Sequence, residues 1–131
     1  QTGGYDVRMQ RREGPREIPN ESFNGLRNQK GTLSMARLED PDSASSQFFI
    51  NLSANKHLDA LPGKPGYTVF GHLVAGTDVA EIIEFAETGI LQEMAGVPLE
   101  PIVILSARRR PEVQRPGSAA SRRLSDDLRD P

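Results

Sequence analysis

Residues 31–52 read GTLSMARLEDPDSASSQFFINL, and this stretch decides how the chain folds. Two short apolar runs, 31–37 and 47–52, flank a loop rich in Glu, Asp, Pro and Ser. Short runs of β-branched and aromatic residues bounded by turn residues are typical of β-strands. An apolar wall that also carries a few amide and guanidinium groups is suited to grip an extended peptide.

Phe48 and Phe49 are neighbours in the second run, so their side chains point to opposite faces of the strand. One of them is expected to face the core while the other lines a pocket. Gln47 lies on the same side as Phe49 and carries an amide that can donate to and accept from a peptide backbone. Met35, in the first run, can act as an adaptable apolar wall. The residues alone favour a simpler interpretation, in which Phe48, Phe49 and Met35 are ordinary core residues.

The rest of the chain is led by strands. The runs 46–52 and 67–74 predict a second and a third strand, and the run 101–107 predicts a final buried one. One helix is predicted over 78–88, begun by Thr77 or Asp78 and ended by Gly89. Its expected buried face consists of Val79, Ile82, Ile83 and Ala86. Short loops between strands favour a mainly β, mostly antiparallel barrel or sandwich.

Composition places the chain among single-domain proteins. Its 131 residues are 36% hydrophobic and 26% charged, and no apolar run is long enough to span a membrane. The absence of cysteine excludes disulfides and thiolate chemistry. Residues 1–105 are acidic and 106–131 are basic, so nucleic acid is not expected as the main ligand. The Arg-, Ser- and Pro-rich segment 108–131 is predicted to be a disordered, solvated tail.

The sequence offers few groups for covalent or metal chemistry. The only histidines are His57 and His72, and neither has a carboxylate or a second His at metal-ligand spacing, so no metal site or cofactor is predicted. The serines at 43, 45 and 46 lie outside any nucleophile elbow, which argues against a serine hydrolase.

Several strings, taken in order, resemble one family. GTLSMAR, SQFFINL, NKHLD and GYTVFGHLVAGTDV, together with QTGGY and NESFNGLRN, are similar to the cyclophilin family of peptidyl-prolyl isomerases in its bacterial form. The resemblance covers residues 1–107, interpreted as the C-terminal two-thirds of a cyclophilin-like domain, and the tail lies outside it. It implies a mainly β fold, an antiparallel eight-stranded barrel with capping helices, whose first strands and one helix are expected upstream of Gln1.

The resemblance also implies an activity and its residues. The reaction is cis/trans rotation about X-Pro bonds in protein folding, with no covalent step and no cofactor. The implied partners are proline-containing peptides and unfolded chains, bound by a monomer without nucleic acid or membrane. The residues that match the family's catalytic positions are Gln1, Gln47 and Phe49. The residues that match its substrate-binding positions are Met35, Ala36, Arg37, Leu58 and Tyr67. Among these, Phe49, Met35 and Leu58 are the expected proline-pocket walls, and Gln1 and Gln47 the backbone-holding amides.

Two departures from the family pattern set the alternatives. The family's arginine, in an aromatic-His-Arg string, is expected upstream of Gln1, so these residues alone are expected to bind without efficient turnover. The alternative is therefore a cyclophilin-like peptide-binding or scaffold module. A weaker alternative is an unrelated β-barrel in which the Phe-Phe strand is only core. His57 stands where many members carry Trp or another aromatic, which argues against tight cyclosporin binding. The cytoplasm and the periplasm both remain open as compartments.

Overall fold

The computed structural model describes residues 1–12 and 14–109. Its centre is a three-stranded antiparallel sheet formed by β1 (Thr32–Met35), β2 (Phe48–Ile50) and β3 (Val69–His72). β1 lies in the middle, with β2 on one side and β3 on the other. Each strand falls inside a run that the sequence predicts to be extended, so these three predictions are confirmed.

The register of β1 against β2 decides which side chains share a face. Ser34 lies opposite Phe49, and Met35 lies opposite Phe48. Directly opposed residues of an antiparallel pair point to the same face, and the next pair points to the other. Phe49 and Ser34 therefore share one face, which we call the site face. On the other face Phe48 is half-buried and packs edge-to-face on Phe70, with ring centroids 6.1 Å apart.

The most deeply buried side chains of the described residues are polar. Asn28, Ser34 and Asn51 are each no more than 2% exposed. The Asn28 Oδ1 atom accepts hydrogen bonds from Ser34 Oγ at 2.7 Å and from Asn51 Nδ2 at 3.3 Å. Every buried side-chain polar atom among the described residues has a hydrogen-bond partner, as a stable polar core requires. Among residues 1–12 and 14–109, the buried apolar side chains are Ala44, Val69 and Ala80.

The helix α1 (Thr77–Glu84) is shorter than the predicted span of 78–88. Gly76, in the left-handed region at φ +79°, is its N-cap, so the prediction of Thr77 or Asp78 at that position was wrong. A glycine adopts this conformation without the steric cost that a side chain would bring. Asp78 lies in the first turn, where a carboxylate is stabilised by the helix dipole.

The predicted buried face of the helix was also wrong. Val79, Ile82 and Ile83 are 54%, 70% and 42% exposed. Ala80 is the buried residue of α1, and Ala86 lies beyond its end. Among the described residues no element covers the apolar side of the helix, so amphipathic spacing alone did not determine burial.

A β-hairpin that the sequence pattern did not predict follows the helix. β4 (Thr88–Leu91) pairs antiparallel with β5 (Met94–Pro98), so the predicted helix end at Gly89 lies in a strand. Gln92 and Glu93 make the two-residue turn, with φ of +49° and +67°. Positive φ at both positions is the type I′ arrangement that matches strand twist. Asn-Gly is the usual signal for this turn, and Gln-Glu does not carry it.

The predicted final strand at 101–107 is absent, because these residues have no strand partner within the described part of the chain. Ile102, Val103, Ile104 and Leu105 are between 46% and 94% exposed. The described strands form a three-stranded sheet and a hairpin, which confirms the prediction of a mainly β fold. They do not form a closed barrel, so the described residues do not confirm the predicted eight-stranded barrel. The predicted disordered tail lies outside the described residues from position 110 onward. None of the described helices has the length and apolar character of a membrane span.

Candidate functional site

Two half-buried aromatic rings meet on the site face. Phe49 in β2 and Tyr67, two residues before β3, have ring centroids 5.8 Å apart and planes inclined by 72°. Edge-to-face pairs of this geometry stabilise one another beyond simple burial of area. Because both rings remain partly exposed, they form an apolar wall that a ligand can reach.

Leu58 is brought beside Tyr67 through the backbone. Leu58 is the last residue of a 3₁₀ helix, Lys56–Leu58. The Tyr67 N–H donates to the Leu58 carbonyl at 2.8 Å. Gly66 makes this approach possible, since a Cβ atom there would collide with the backbone of Leu58, Asp59 and Ala60. Two of the expected pocket walls, Phe49 and Leu58, and the expected substrate-binding residue Tyr67 therefore lie in one region.

The two expected amides are in direct contact. Gln1 Nε2 donates to Gln47 Oε1 at 2.8 Å. Thr2 exchanges two backbone hydrogen bonds with Phe48, at 2.8 and 3.1 Å, which holds the N-terminal segment along β2. Gly4 lies against the Gln47 amide so closely that a Cβ atom would overlap it. The segment 1–4 thus holds the Gln1 amide against that of Gln47, which directly precedes β2.

Ala36 and Arg37 follow β1 at the edge of the same region. The Ala36 N–H donates to the Gln47 carbonyl at 2.9 Å, which continues the ladder past the end of β1. The Arg37 guanidinium lies over the Tyr67 ring, with its Cζ atom 4.7 Å from the centroid. A cation at this distance from an aromatic face is attracted by the ring quadrupole.

Met35 is the expected wall residue that the structure does not bring to this group. Its position opposite Phe48 sends its side chain to the other face of the sheet from Phe49. Its backbone N–H donates to the Thr68 carbonyl at 3.0 Å, which ties β1 to the segment that carries Tyr67. Met35 therefore supports the site face through the backbone.

A buried carboxylate that the sequence pattern did not single out lies beneath the site. Asp59 Oδ1 accepts hydrogen bonds from the backbone N–H and the side-chain amide of Asn28, at 2.7 and 3.0 Å. Arg27 lies 3.4 Å from Asp59 Oδ2. Burial acts to raise the pKa of Asp59, but the hydrogen bonds from Asn28 and the charge of Arg27 outweigh it and lower that pKa. Asn28 also reaches the Tyr67 carbonyl at 3.4 Å. The partners lie far apart in the chain, so no local spacing predicts them.

Other groups lie away from this region or form no site. His57 and His72 are exposed, and no set of three His, Cys, Asp or Glu side chains suited to a metal occurs within residues 1–12 and 14–109. An open groove of about 610 Å³ runs beside β3, lined by Leu26, Arg27, Phe70 and His72 among others. Phe49, Tyr67, Gln1 and Gln47 are not among the residues that line this groove, and each of them is at least partly exposed.

Comparison with known proteins gives one consistent result. Residues 1–109 match the family described as cyclophilin type peptidyl-prolyl cis-trans isomerase/CLD. The "Peptidyl-prolyl cis-trans isomerase" of Acinetobacter baylyi is 42% identical over 108 residues, covering 82% of this chain and 57% of that protein. "Peptidyl-prolyl cis-trans isomerase A" of Dickeya dadantii is 44% identical over the same length and shares. "Peptidyl-prolyl cis-trans isomerase B" of Escherichia coli is 41% identical over 110 residues, 81% of this chain and 66% of that protein.

Proposed function

This chain belongs to the cyclophilin-type peptidyl-prolyl cis-trans isomerase family, and from that premise we propose that it forms the peptide-holding part of an enzyme accelerating X-Pro rotation. It spans 57% of the length of the Acinetobacter and Dickeya relatives. The activity is therefore assigned to the polypeptide that contains these residues. Its substrates are proline-containing peptides and unfolded chains, bound by a monomer.

One observation carries the proposal: a hydrogen-bonded pair of amides and a pair of partly exposed aromatic rings are joined through neighbouring positions of one strand segment. Gln47 and Phe49 alternate to the same side of the strand, and Gln1 and Tyr67 extend the two halves of the group. An amide can donate to and accept from a peptide backbone, while partly exposed rings can cover a proline ring. The same surface can thus hold both sides of an X-Pro bond.

The proposed reaction can be accelerated by amides and an apolar wall alone. Rotation about an X-Pro bond faces a barrier of roughly 20 kcal/mol and takes tens of seconds or more without catalysis. No covalent bond forms or breaks, so the protein accelerates rotation by binding the twisted transition state better than either planar isomer. Fixed amides can hold the backbone on one side of the bond while the proline lies against the wall.

Each expected residue has a place in this proposal. Phe49 and Leu58 form the proline pocket with Tyr67 at its rim, and the peptide runs beside Ala36 and Arg37. Met35 supports the site from the other face of the sheet, through the hydrogen bond from its backbone N–H to the Thr68 carbonyl. The amides that hold the substrate backbone are Gln1 and Gln47.

The barrel belongs to the same proposal. Residues 1–107 form the C-terminal two-thirds of a cyclophilin-like domain, and strands and a helix outside them complete an eight-stranded barrel. The exposed apolar residues 102–105 support this, because they have strand-forming character and no partner among the described residues. Residues 108–131 are a tail outside the domain.

Exchange spectroscopy by NMR on an Ala-Ala-Pro-Phe peptide tests the activity. The 131-residue chain is compared with a version extended upstream, and the exchange rate between cis and trans peptide signals is measured. Faster exchange with the extended protein is expected. No acceleration by the extended protein would refute the isomerase assignment, and binding without acceleration would establish the alternative, a peptide-binding or scaffold module.

A pair of variants ties the activity to the site. Phe49→Ala is expected to weaken peptide binding while the protein stays folded. Phe85→Ala is the matched control, because Phe85 is 83% exposed at the end of α1 and far from the amides in the chain. If Phe49→Ala unfolded the protein instead, Phe49 would be a core residue and the pocket would be wrongly placed.

A further inference from the structure

Most hydrogen-bond donors of the Arg37 side chain are used by backbone carbonyls of the same protein. Its Nη1 atom donates to the carbonyls of Leu38 and Glu39, at 2.9 and 3.1 Å. Its Nε and Nη2 atoms donate to the carbonyls of Gly66 and Pro65, each at 3.3 Å. A guanidinium has five N–H donors, and four of them are used in this way. Little donor capacity is left for a bound peptide.

These bonds join two loops at the rim of the proposed pocket. One loop follows β1 and contains Arg37, and the other, 65–67, leads into β3. The guanidinium is hydrogen-bonded to carbonyls of both loops, and its Cζ atom lies over the Tyr67 ring, 4.7 Å from the centroid. Tyr67 in turn meets Phe49 edge-to-face at 5.8 Å. A continuous set of contacts therefore runs from Arg37 through Tyr67 to the pocket wall.

We propose that the Arg37 side chain is a positioning residue, which holds Tyr67 against Phe49, and that it does not bind the peptide directly. The inference rests on the proposed function, since it names what shapes that pocket. The backbone and the side chain of Arg37 then have separate roles. The backbone runs beside the peptide, while the side chain acts through Tyr67.

Lysine cannot replace arginine in this role. The guanidinium is planar, stacks on an aromatic face and presents donors in a fixed fork, whereas the lysine ammonium is a compact charge on a flexible stem. Arg37→Lys therefore keeps the positive charge but removes the planar group that bonds to both loops and lies over the Tyr67 ring. A role that depended on positive charge alone would survive this substitution.

A double-mutant cycle separates positioning from direct contact. The dissociation constant of the Ala-Ala-Pro-Phe peptide is measured by NMR titration for the wild type, Arg37→Lys, Tyr67→Ala and the double variant. Arg37→Lys is expected to weaken binding about fivefold in the wild-type background, the scale of one cation–π contact. In the Tyr67→Ala background the same change is expected to have almost no effect, because the coupling runs through that ring.

Two controls complete the cycle. Arg8→Lys alters an exposed arginine that has no part in the proposed contacts and is expected to leave binding unchanged. Unfolding free energies of all variants are measured by urea titration, so that a loss of folded protein is not counted as a loss of affinity. An equal loss in both backgrounds would mean that Arg37 contacts the peptide directly, and no loss in either would mean that it does not shape the pocket.

A measurement without peptide tests the contact itself. The chain has two tyrosines, so the Tyr67 ring signals are readily assigned by NMR. Arg37→Lys is expected to move the chemical shifts of the Tyr67 ring toward those of a tyrosine ring without a packing partner. Arg8→Lys is expected to leave these chemical shifts unchanged. Unchanged Tyr67 signals would overturn the positioning role even if the wild type bound no proline peptide. Failure of wild-type binding would count against the proposed function alone.

Discussion

A single carboxylate oxygen of Asp59 accepts two hydrogen bonds from Asn28, at 2.7 Å from its backbone N–H and at 3.0 Å from its side-chain amide. Both residues are buried, and Asn28 connects onward to Ser34 in β1 and to Asn51 just beyond β2. The sheet, the loop before it and the 3₁₀ helix segment are thus tied together at one point. This polar network contains the three most deeply buried side chains of the described residues, Asn28, Ser34 and Asn51.

Removing the carboxylate is expected to destabilise the fold. Asp59→Ala leaves two buried donors of Asn28 without an acceptor, and we expect a loss of about 3 kcal/mol in the free energy of unfolding. Asp59→Asn keeps an oxygen that can accept both bonds, so its loss is expected to be smaller. Urea unfolding followed by circular dichroism measures both. The control Glu87→Gln alters an exposed carboxylate, and an equal effect there would show that Asp59 has no special role.

The same network predicts a dependence of stability on pH. The pKa of Asp59 in the folded protein is lowered from its ordinary value of 3.8, because hydrogen bonds from Asn28 and the charge of Arg27 outweigh the opposing effect of burial. A lowered pKa means that the unfolded chain binds the proton first as pH falls. The contribution of Asp59 is therefore fully present well above pH 4 and is lost as pH falls through about 4 toward the folded pKa.

A comparison of the wild type with Asp59→Asn isolates the pH-dependent contribution of Asp59 to stability. Urea unfolding free energies of the wild type and Asp59→Asn are compared between about pH 6 and pH 3, and the advantage of the wild type is expected to shrink toward the acid end. Other carboxylates titrate in both proteins and cancel. A gap that stayed constant over this range would contradict the lowered pKa.

Gly66 is expected to be intolerant of a side chain. A Cβ atom at this position would overlap backbone atoms of Leu58, Asp59 and Ala60, which cannot move aside cheaply. Gly66→Ala is expected to cost about 2 kcal/mol and to separate Tyr67 from Leu58. Gly71→Ala is the matched control, because a Cβ atom there meets open space. The unfolding free energies of the two variants are compared directly, and equal values would show that the tight approach is unimportant.

The turn of the β4–β5 hairpin offers a change that should stabilise the protein. Gln92 and Glu93 both have positive φ, a conformation that costs most residues free energy and that Gly and Asn adopt at lower cost. Replacing the pair by Asn-Gly is expected to raise the free energy of unfolding by about 1 kcal/mol. Thermal unfolding measures the change, with Gln92→Ala as a control that keeps a side chain in the same conformation. A destabilised Asn-Gly variant would show that the turn differs from type I′.

Sequence patterns could predict the parts of this protein that local chemistry determines. The alternation of Gln47, Phe48 and Phe49 is local, so it placed an amide and a ring on one side of a strand, and the structure has that strand. The burial of Val79 and Ile82 depends on what packs against the helix, and their spacing carries no information on that. The 3₁₀ helix and its link to Tyr67 depend on the contact of Gly66 with a distant segment.

The face of Met35 depends on register, which short apolar runs leave open. A shift of one residue in the pairing of β1 with β2 would exchange its partner and turn its side chain to the other face. The family resemblance, not the periodicity, brought together Gln1 and Gln47, which are separated by 46 positions and joined by a 2.8 Å hydrogen bond.

Gly4 provides a way to disturb that amide pair without touching either glutamine. A Cβ atom at Gly4 would overlap the amide group of Gln47, which is the movable end of a flexible side chain. Gly4→Ala is therefore expected to displace the amide at little cost in stability, and to break its hydrogen bond with Gln1. If the proposed site holds peptide backbone through these amides, affinity for the Ala-Ala-Pro-Phe peptide should fall about tenfold, the scale of one hydrogen bond. NMR titration measures the affinity, and Gly71→Ala serves as the control. Unchanged affinity together with a shifted Gln47 amide signal would mean that the peptide is held by other groups.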